Sequence, residues 1–178
     1  MNTYYGMVHG RFQPFHNHHL DYVMKGLARC KHLLIGITNP DPLEIQQEET
    51  SNHRHLEQSN PFTYFQRMQM IRSSLVDEGV NLHSFSFIPL HIHSPKRWAY
   101  YLPDPKDVTL FIRVFSDWEQ TKVDRFRSHG WTVEVLDPGI PKGIEATNVS
   151  CKLDRKGPWE VLVPKAVVNI IREIRSEN

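Results

Sequence analysis

The chain has 178 residues and a formal net charge of +1, a length that suits one domain, residues 1–178, with a complete hydrophobic core. Hydrophobic residues make up 39% and charged residues 23%, which is ordinary for a soluble globular protein, and the small net charge excludes a global field that attracts nucleic acid or an anionic membrane. No apolar run approaches the ~20 residues of a membrane span, and we expect neither a signal peptide nor a membrane partner.

The first third of the chain alternates apolar runs with polar or amphipathic segments. The runs Tyr4–His9 and 32–38 suit buried strands. Between these runs, apolar residues recur at i, i+3, i+4 and i+7, which predicts an amphipathic helix: Leu20, Val23, Met24 and Leu27. Prolines and an Asn/Asp pair then stop the second strand, and the polar residues 43–59 predict a mobile loop.

The same alternation continues to the C-terminus. Thr63 and Gln66 predict a capping box at the start of a helix that ends at Gly79. The remaining predicted elements are a strand at 85–90, a short helix or turn at 95–102, a strand at 108–115, a helix at 117–129, a strand at 131–136 and a helix from about 164. Strands that alternate with helices predict an α/β fold, a Rossmann-like doubly wound parallel sheet of about five strands with helices on both faces and a C-terminal helix.

The segment between the first strand and the first helix carries the clearest chemical signal. Residues Gly10–Pro14 form a loop punctuated by glycine and proline, and His16 and His19 follow with a spacing that places them on one face of the first helical turn. A helix N-terminus has unpaired N–H groups that bind phosphate, and doubly wound folds bind ligands outside the carboxyl ends of their strands. We therefore expect His16 and His19 to be catalytic, donating hydrogen bonds to phosphate oxygens and stabilising developing charge.

This segment resembles the signature of the nucleotidyltransferase superfamily, whose short form is His-x-Gly-His. Three later segments resemble archaeal-type nicotinamide-nucleotide adenylyltransferases in order and spacing: residues 60–63 with Arg67 and Met68, Ile144–Thr147, and Trp159–Lys165. The resemblance implies that the phosphate of nicotinamide mononucleotide attacks the α-phosphate of ATP directly, giving NAD and pyrophosphate. It also implies a magnesium ion (Mg2+) as the cofactor that accompanies ATP.

The resemblance also implies roles for residues outside the histidine pair. The expected nucleotide- and phosphate-binding residues are Gly10, Arg11, Phe12, Thr147 and Lys152. Trp98 stands where family members have a tryptophan that stacks on the nicotinamide ring, and it is expected to bind the acceptor; a core position is the alternative. No residue of the chain is expected to be a metal ligand.

The chain departs from the family pattern at three places. His18 stands where glycine is usual, residues 116–118 replace a Gly-Asn pair, and Ser150 replaces an arginine thought to hold phosphates. Lys152, Lys142 and Arg155 are the candidates to supply the missing positive charge. The departures keep two alternatives open: an adenylyl- or cytidylyltransferase acting on another phosphorylated or phosphonate acceptor, and a catalytically weak nucleotide sensor.

A metal-dependent hydrolase is a third alternative, because several histidines could supply imidazole ligands: His16, His18, His19, His53, His55, His91 and His93. No carboxylate or thiolate stands at a recognisable spacing from them.

The two cysteines, Cys30 and Cys151, also lack zinc-like spacing, which predicts reduced thiols in a cytoplasmic protein. The sequence leaves the oligomeric state open, and a homo-oligomer is compatible with it.

Overall fold

The computed structural model describes residues 3–44, 60–115, 117–138, 149, 152–153 and 157–176. The strands are β1 (Thr3–Gly10), β2 (Cys30–Thr38), β3 (Phe85–Leu90), β4 (Val108–Arg113) and β5 (Thr132–Leu136). The helices are α1 (Asn17–Leu27), α2 (Tyr64–Asp77), α3 (Pro95–Trp98), α4 (Asp117–Ser128) and α5 (Lys165–Ser176). The predicted capping box of Thr63 and Gln66 is confirmed, and of the predicted loop 43–59 only residues 43 and 44 are described, in the 3₁₀ turn Pro42–Glu44.

All five strands form one parallel sheet in the order β3-β2-β1-β4-β5. This confirms the predicted Rossmann-like, doubly wound fold. The strand order reverses beside β1, which pairs with β2 on one side and β4 on the other. The carboxyl ends of β1 and β4 therefore border the crevice in which folds of this kind bind their ligands.

Two apolar cores lie on the two faces of the sheet. Successive residues of a strand point to opposite faces, so Val8 packs with α1, α2 and α5, whereas Met7 packs with α3 and α4. The first core is joined to the sheet by a polar contact as well, since the buried Tyr22 hydroxyl of α1 donates a hydrogen bond to the Phe111 carbonyl at 2.5 Å. Among the helices of the described ranges, none has the length and apolar composition needed to cross a lipid bilayer.

Arg67 of α2 is a buried cation that binds backbone carbonyls. Only 2% of the residue is exposed. Its guanidinium donates to the carbonyls of Arg11 and Thr38 at 2.8 Å and of Asn39 at 2.9 Å. These carbonyls lie at or just beyond the ends of β1 and β2. One side chain therefore joins the carboxyl ends of two neighbouring strands. Burial lowers the pKa of Arg67 to about 10, which leaves the guanidinium charged at neutral pH.

His9 is a second buried polar side chain, near the end of β1 on the face covered by α4. It is 7% exposed, and its ring lies 5.4 Å from the ring of Phe126. Burial, with a smaller effect of the Lys122 charge, lowers the pKa of His9 to about 3. The His9 ring is therefore still neutral in the folded protein near pH 6.5, where the histidine of an unfolded chain takes up a proton.

Replacing Arg67 with methionine should lower the free energy of unfolding by about 3–5 kcal/mol, because buried carbonyls at the ends of β1 and β2 lose their donors. Urea unfolding measures the change. Arg72 lies on the same helix and is exposed, so Arg72→Met is the matched control and should change stability by less than about 0.5 kcal/mol. Equal effects of the two substitutions would show that Arg67 does not hold the strand ends.

The buried His9 predicts a loss of stability in mild acid. The unfolded state takes up a proton near pH 6.5 and the folded state only near pH 3, so this contribution is complete above pH 6.5 and decreases as the pH falls. Between pH 7.5 and pH 5.5 the loss should be about 1.4 kcal/mol. Urea unfolding of wild type and His9→Leu at both pH values isolates the contribution of His9 to the free energy of unfolding. Equal losses of stability in the two proteins would contradict this prediction.

Candidate active site

His16 and His19 cap the N-terminus of α1 reciprocally. His16 is the residue before the helix, and its Nδ1 accepts a hydrogen bond from the backbone N–H of His19 at 3.3 Å. The backbone N–H of His16 donates in turn to Nδ1 of His19 at 3.4 Å. Capping boxes ordinarily pair serine or threonine with glutamate or glutamine, as Thr63 and Gln66 do at α2. The spacing predicted a shared face, but the two imidazoles also hold the helix end themselves.

The cap orients both rings. Their centroids lie 3.5 Å apart and their planes differ by 16°, so the rings are stacked. Since each Nδ1 accepts a hydrogen bond, the proton of each neutral ring lies on Nε2. The two rings are thus held together where the helix has its partial positive charge, a position suited to the oxygens of a phosphate group.

The surroundings of His19 favour the neutral ring. Burial, followed by the charges of His16, Arg11 and His18, lowers the pKa of His19 well below its ordinary value, and a hydrogen bond to the Pro14 backbone only partly opposes this shift. The rings of Phe12 and Phe15 lie 5.0 and 5.9 Å from it. A bound anion would oppose these effects and strengthen the hydrogen bonds that the ring donates, because it favours positive charge.

The loop before the histidine pair is held by buried contacts. The side-chain amide of Gln13 donates to the Phe62 carbonyl at 2.8 Å, and its oxygen accepts from the Phe62 N–H at 3.0 Å. Phe12 has a φ of 55° and is 1% exposed. A Cβ added at Gly10 would lie 2.8 Å from the Phe12 ring, so Gly10 makes room for this phenylalanine. Through Phe62, the segment 60–63 therefore fixes the loop that leads to the histidine pair.

A second network fixes the first turn of α1 to the sheet. Arg113, at the end of β4, donates to the His18 carbonyl at 3.0 Å and to the Asp137 carboxylate at 2.9 Å, and it also pairs with Asp21. Lys25 binds Asp137 at 2.8 Å, and this hydrogen bond is the main reason that the pKa of Asp137 is lowered. The sequence analysis missed Arg113, since its partners are far away in sequence and no motif joins them.

The remaining predicted site residues lie in different surroundings. Gly10, Arg11 and Phe12 adjoin the histidine pair, but the Phe12 side chain belongs to the core, and the charge of Arg11 acts on His19. Lys152 is described with its carbonyl accepting a hydrogen bond from Gly157 N–H at 2.7 Å, and its role at a phosphate stays a prediction. The predicted residue Thr147 lies outside the described residues, as do Ser150 and the alternative cations Lys142 and Arg155.

Trp98 packs in the core on the α4 face of the sheet. It is 5% exposed, its indole stacks on Phe126 with centroids 4.6 Å apart, and its Nε1–H donates to the His91 carbonyl at 3.0 Å. This placement agrees with the core alternative. One face of the indole is thus occupied by Phe126, and stacking of Trp98 on an acceptor ring stays a prediction.

The described residues offer no ready site for a protein-bound metal ion. No three histidine, cysteine, aspartate or glutamate side chains in the described ranges are grouped so that they could hold one. The carboxylates linked to the first turn of α1, Asp21 and Asp137, are bound by Arg113 and Lys25. Cys30 is a free buried cysteine, and burial raises the pKa of its thiol.

Comparison with solved structures supports the fold. A bifunctional NMN adenylyltransferase/ADP ribose pyrophosphatase from Francisella tularensis, complexed with AMP and a manganese ion, superposes with a TM-score of 0.65 at 18% identity. The match covers 97% of this chain and 49% of that protein, so this chain spans about half of its length.

Comparison with known sequences shows the family. The model of a family described as cytidylyltransferase-like matches residues 7–102. A phosphonoformate cytidylyltransferase of Streptomyces viridochromogenes is 38% identical over 168 residues, which cover 94% of this chain and 90% of the relative. A nicotinamide-nucleotide adenylyltransferase of Saccharolobus solfataricus is 31% identical over 175 residues, which cover 97% and 92%. The chain carries its helix-capping histidine pair after the loop that follows the central strand β1. It belongs to the cytidylyltransferase-like family and is an enzyme of the nucleotidyltransferase class.

Proposed function

We propose that this nucleotidyltransferase transfers the cytidylyl group of CTP to a small phosphonate acceptor and releases pyrophosphate. The observation that carries this choice is the 38% identity to a phosphonoformate cytidylyltransferase over 94% of the chain, against 31% for the nicotinamide-nucleotide adenylyltransferase quoted above. The core position of Trp98 agrees with it, because a small phosphonate needs no aromatic platform.

The proposed reaction is a direct displacement. An oxygen of the acceptor attacks the α-phosphorus of CTP, a new P–O bond forms, and the bond from that phosphorus to the bridging oxygen breaks as pyrophosphate leaves. Phosphonate oxygens are already nucleophilic, so the enzyme needs no covalent intermediate. What the protein supplies is positioning and stabilisation of charge on the transferring and leaving groups.

His16 and His19 carry that stabilisation in this proposal. When the nucleotide binds, their Nε2–H groups donate to oxygens of the α- and β-phosphates, where negative charge grows as the bond breaks. For His19 this donation replaces its hydrogen bond to the Pro14 backbone. The partial charge at the N-terminus of α1 acts in the same direction. Arg113 holds the His18 carbonyl, so the first turn keeps its geometry when the anion binds.

Magnesium enters this proposal as part of the substrate. The described residues near α1 supply imidazoles, N–H groups and carboxylates already paired with cations, a set that suits an ion carried by the triphosphate and its water ligands. A magnesium ion bound in this way would neutralise phosphate charge and assist the departure of pyrophosphate.

Adenylyl transfer from ATP to nicotinamide mononucleotide is the second candidate. The segments 60–63 and Trp159–Lys165 favour it, because they resemble stretches of archaeal-type nicotinamide-nucleotide adenylyltransferases. Relatives with that name also match almost the whole chain.

A paired turnover assay separates the candidates. Pyrophosphate release should be faster with CTP and phosphonoformate than with ATP and nicotinamide mononucleotide by at least about tenfold in kcat/KM, since the preferred pair fills both subsites. The crossed pairs, CTP with nicotinamide mononucleotide and ATP with phosphonoformate, assign the base and acceptor preferences separately. Faster NAD formation supports the second candidate, and nucleotide binding without turnover of any pair supports the sensor alternative.

Replacing His19 with alanine should lower kcat by about 100- to 1,000-fold, the usual loss for one donor to a transition state, with a smaller change in the KM for CTP. The loss of its share of the cap should reduce stability by about 1 kcal/mol. His19→Glu is the matched control, because glutamate at this position of a capping box keeps the helix end but places a carboxylate near the phosphates. Both variants should be inactive, with His19→Glu the more stable; an active His19→Ala would remove the histidine from the mechanism.

A further inference from the structure

His9 lies at the ligand-binding end of the sheet but belongs to none of the motifs. It is the penultimate residue of β1 and directly precedes Gly10. β1 is the strand beside which the strand order reverses, so its carboxyl end borders the crevice. The residue therefore lies at the end of the sheet where folds of this kind bind their ligands.

His9 approaches this end from the opposite face to the histidine pair. Val8 points to the face of α1, whose N-terminus carries His16 and His19, and His9 points to the face of α4, where its ring meets Phe126. On the neighbouring strand, its partner Gly36 has no side chain, and a Cβ there would lie 3.2 Å from the His9 Cβ. The sheet therefore makes room for an imidazole at this point.

The Nδ1 atom of His9 is buried and has no hydrogen-bond partner among the described residues. Buried polar groups in folded proteins are nearly always paired, and an unpaired one destabilises the fold. An aliphatic side chain would fill the same apolar surroundings without this penalty. A polar group retained at such a position, beside a ligand crevice, points to a partner supplied by the ligand.

Lys122 lies on α4 one turn before Phe126, whose ring contacts His9, and its charge lowers the pKa of His9. A neutral imidazole can donate one hydrogen bond without bringing a charge into the core, and a lysine beside it attracts an anion. We propose that His9, together with Lys122, binds an anionic oxygen of the acceptor and so determines acceptor specificity. This inference rests on the proposed transfer to a small anionic acceptor.

The test uses the full chain with CTP and phosphonoformate as probes. His9→Leu preserves the volume and removes the nitrogen, His9→Asn keeps an amide that can donate, and Met7→Val is the control on the same strand and face. We expect His9→Leu to raise the KM and Kd for phosphonoformate by about 10- to 100-fold while the KM for CTP changes less than about twofold. His9→Asn should restore most of the affinity.

Melting curves of the unliganded proteins complete the test. His9→Leu should melt at or above the temperature of wild type, because it removes an unpaired buried group, whereas Met7→Val should melt lower and bind phosphonoformate normally. The inference is overturned if His9→Leu binds phosphonoformate within about threefold of wild type, or if it loses CTP and phosphonoformate equally.

The failure of the proposed function has a different signature. Wild type would then release no pyrophosphate from CTP with phosphonoformate, whatever residue occupies position 9. Binding of phosphonoformate measured by calorimetry still decides the role of His9 in that case, since it needs no turnover. Equal Kd values for wild type and His9→Leu, or no binding to wild type, would exclude the acceptor subsite.

Discussion

The buried guanidinium of Arg67 holds together the strand ends on which the candidate active site is built. It binds the carbonyls of Arg11, Thr38 and Asn39, groups that a parallel sheet leaves unpaired where its strands stop. A planar group with five donors can satisfy several carbonyls of diverging loops at once, which a lysine cannot. Because the loop after β1 leads directly into the histidine pair, the position of that pair depends on this contact.

The histidine pair combines a structural and a chemical role in the same two rings. Each Nδ1 is occupied by the helix cap, which leaves the Nε2 side of each ring for its remaining contacts. The site is thus organised before any phosphate binds, which reduces the reorganisation that binding requires. The arrangement also explains why histidine stands where caps ordinarily carry serine, threonine or glutamate.

The two faces of the sheet contribute different chemistry to one crevice. The α1 face supplies two imidazoles at a helix N-terminus, suited to the phosphates of a nucleotide. The α4 face supplies a buried aromatic core, in which Trp98 and Phe126 stack, and the polar His9 at its edge. This chain is similar over most of its length both to a phosphonoformate cytidylyltransferase and to a nicotinamide-nucleotide adenylyltransferase, which is consistent with acceptor choice residing in a few side chains.

The order of elements, the parallel sheet and the histidine segment can be predicted from the sequence, because hydrophobic periodicity, turn residues and caps are local signals. The family resemblance assigned Trp98 to the acceptor, with a core position as the alternative, and no local signal singled out Arg113 or His9. The packing of Trp98 on Phe126 and the contacts of Arg113, which join residues up to 95 positions apart, are visible only in the folded chain. Such pairings arise when distant strands and helices pack, and no spacing within the chain encodes them.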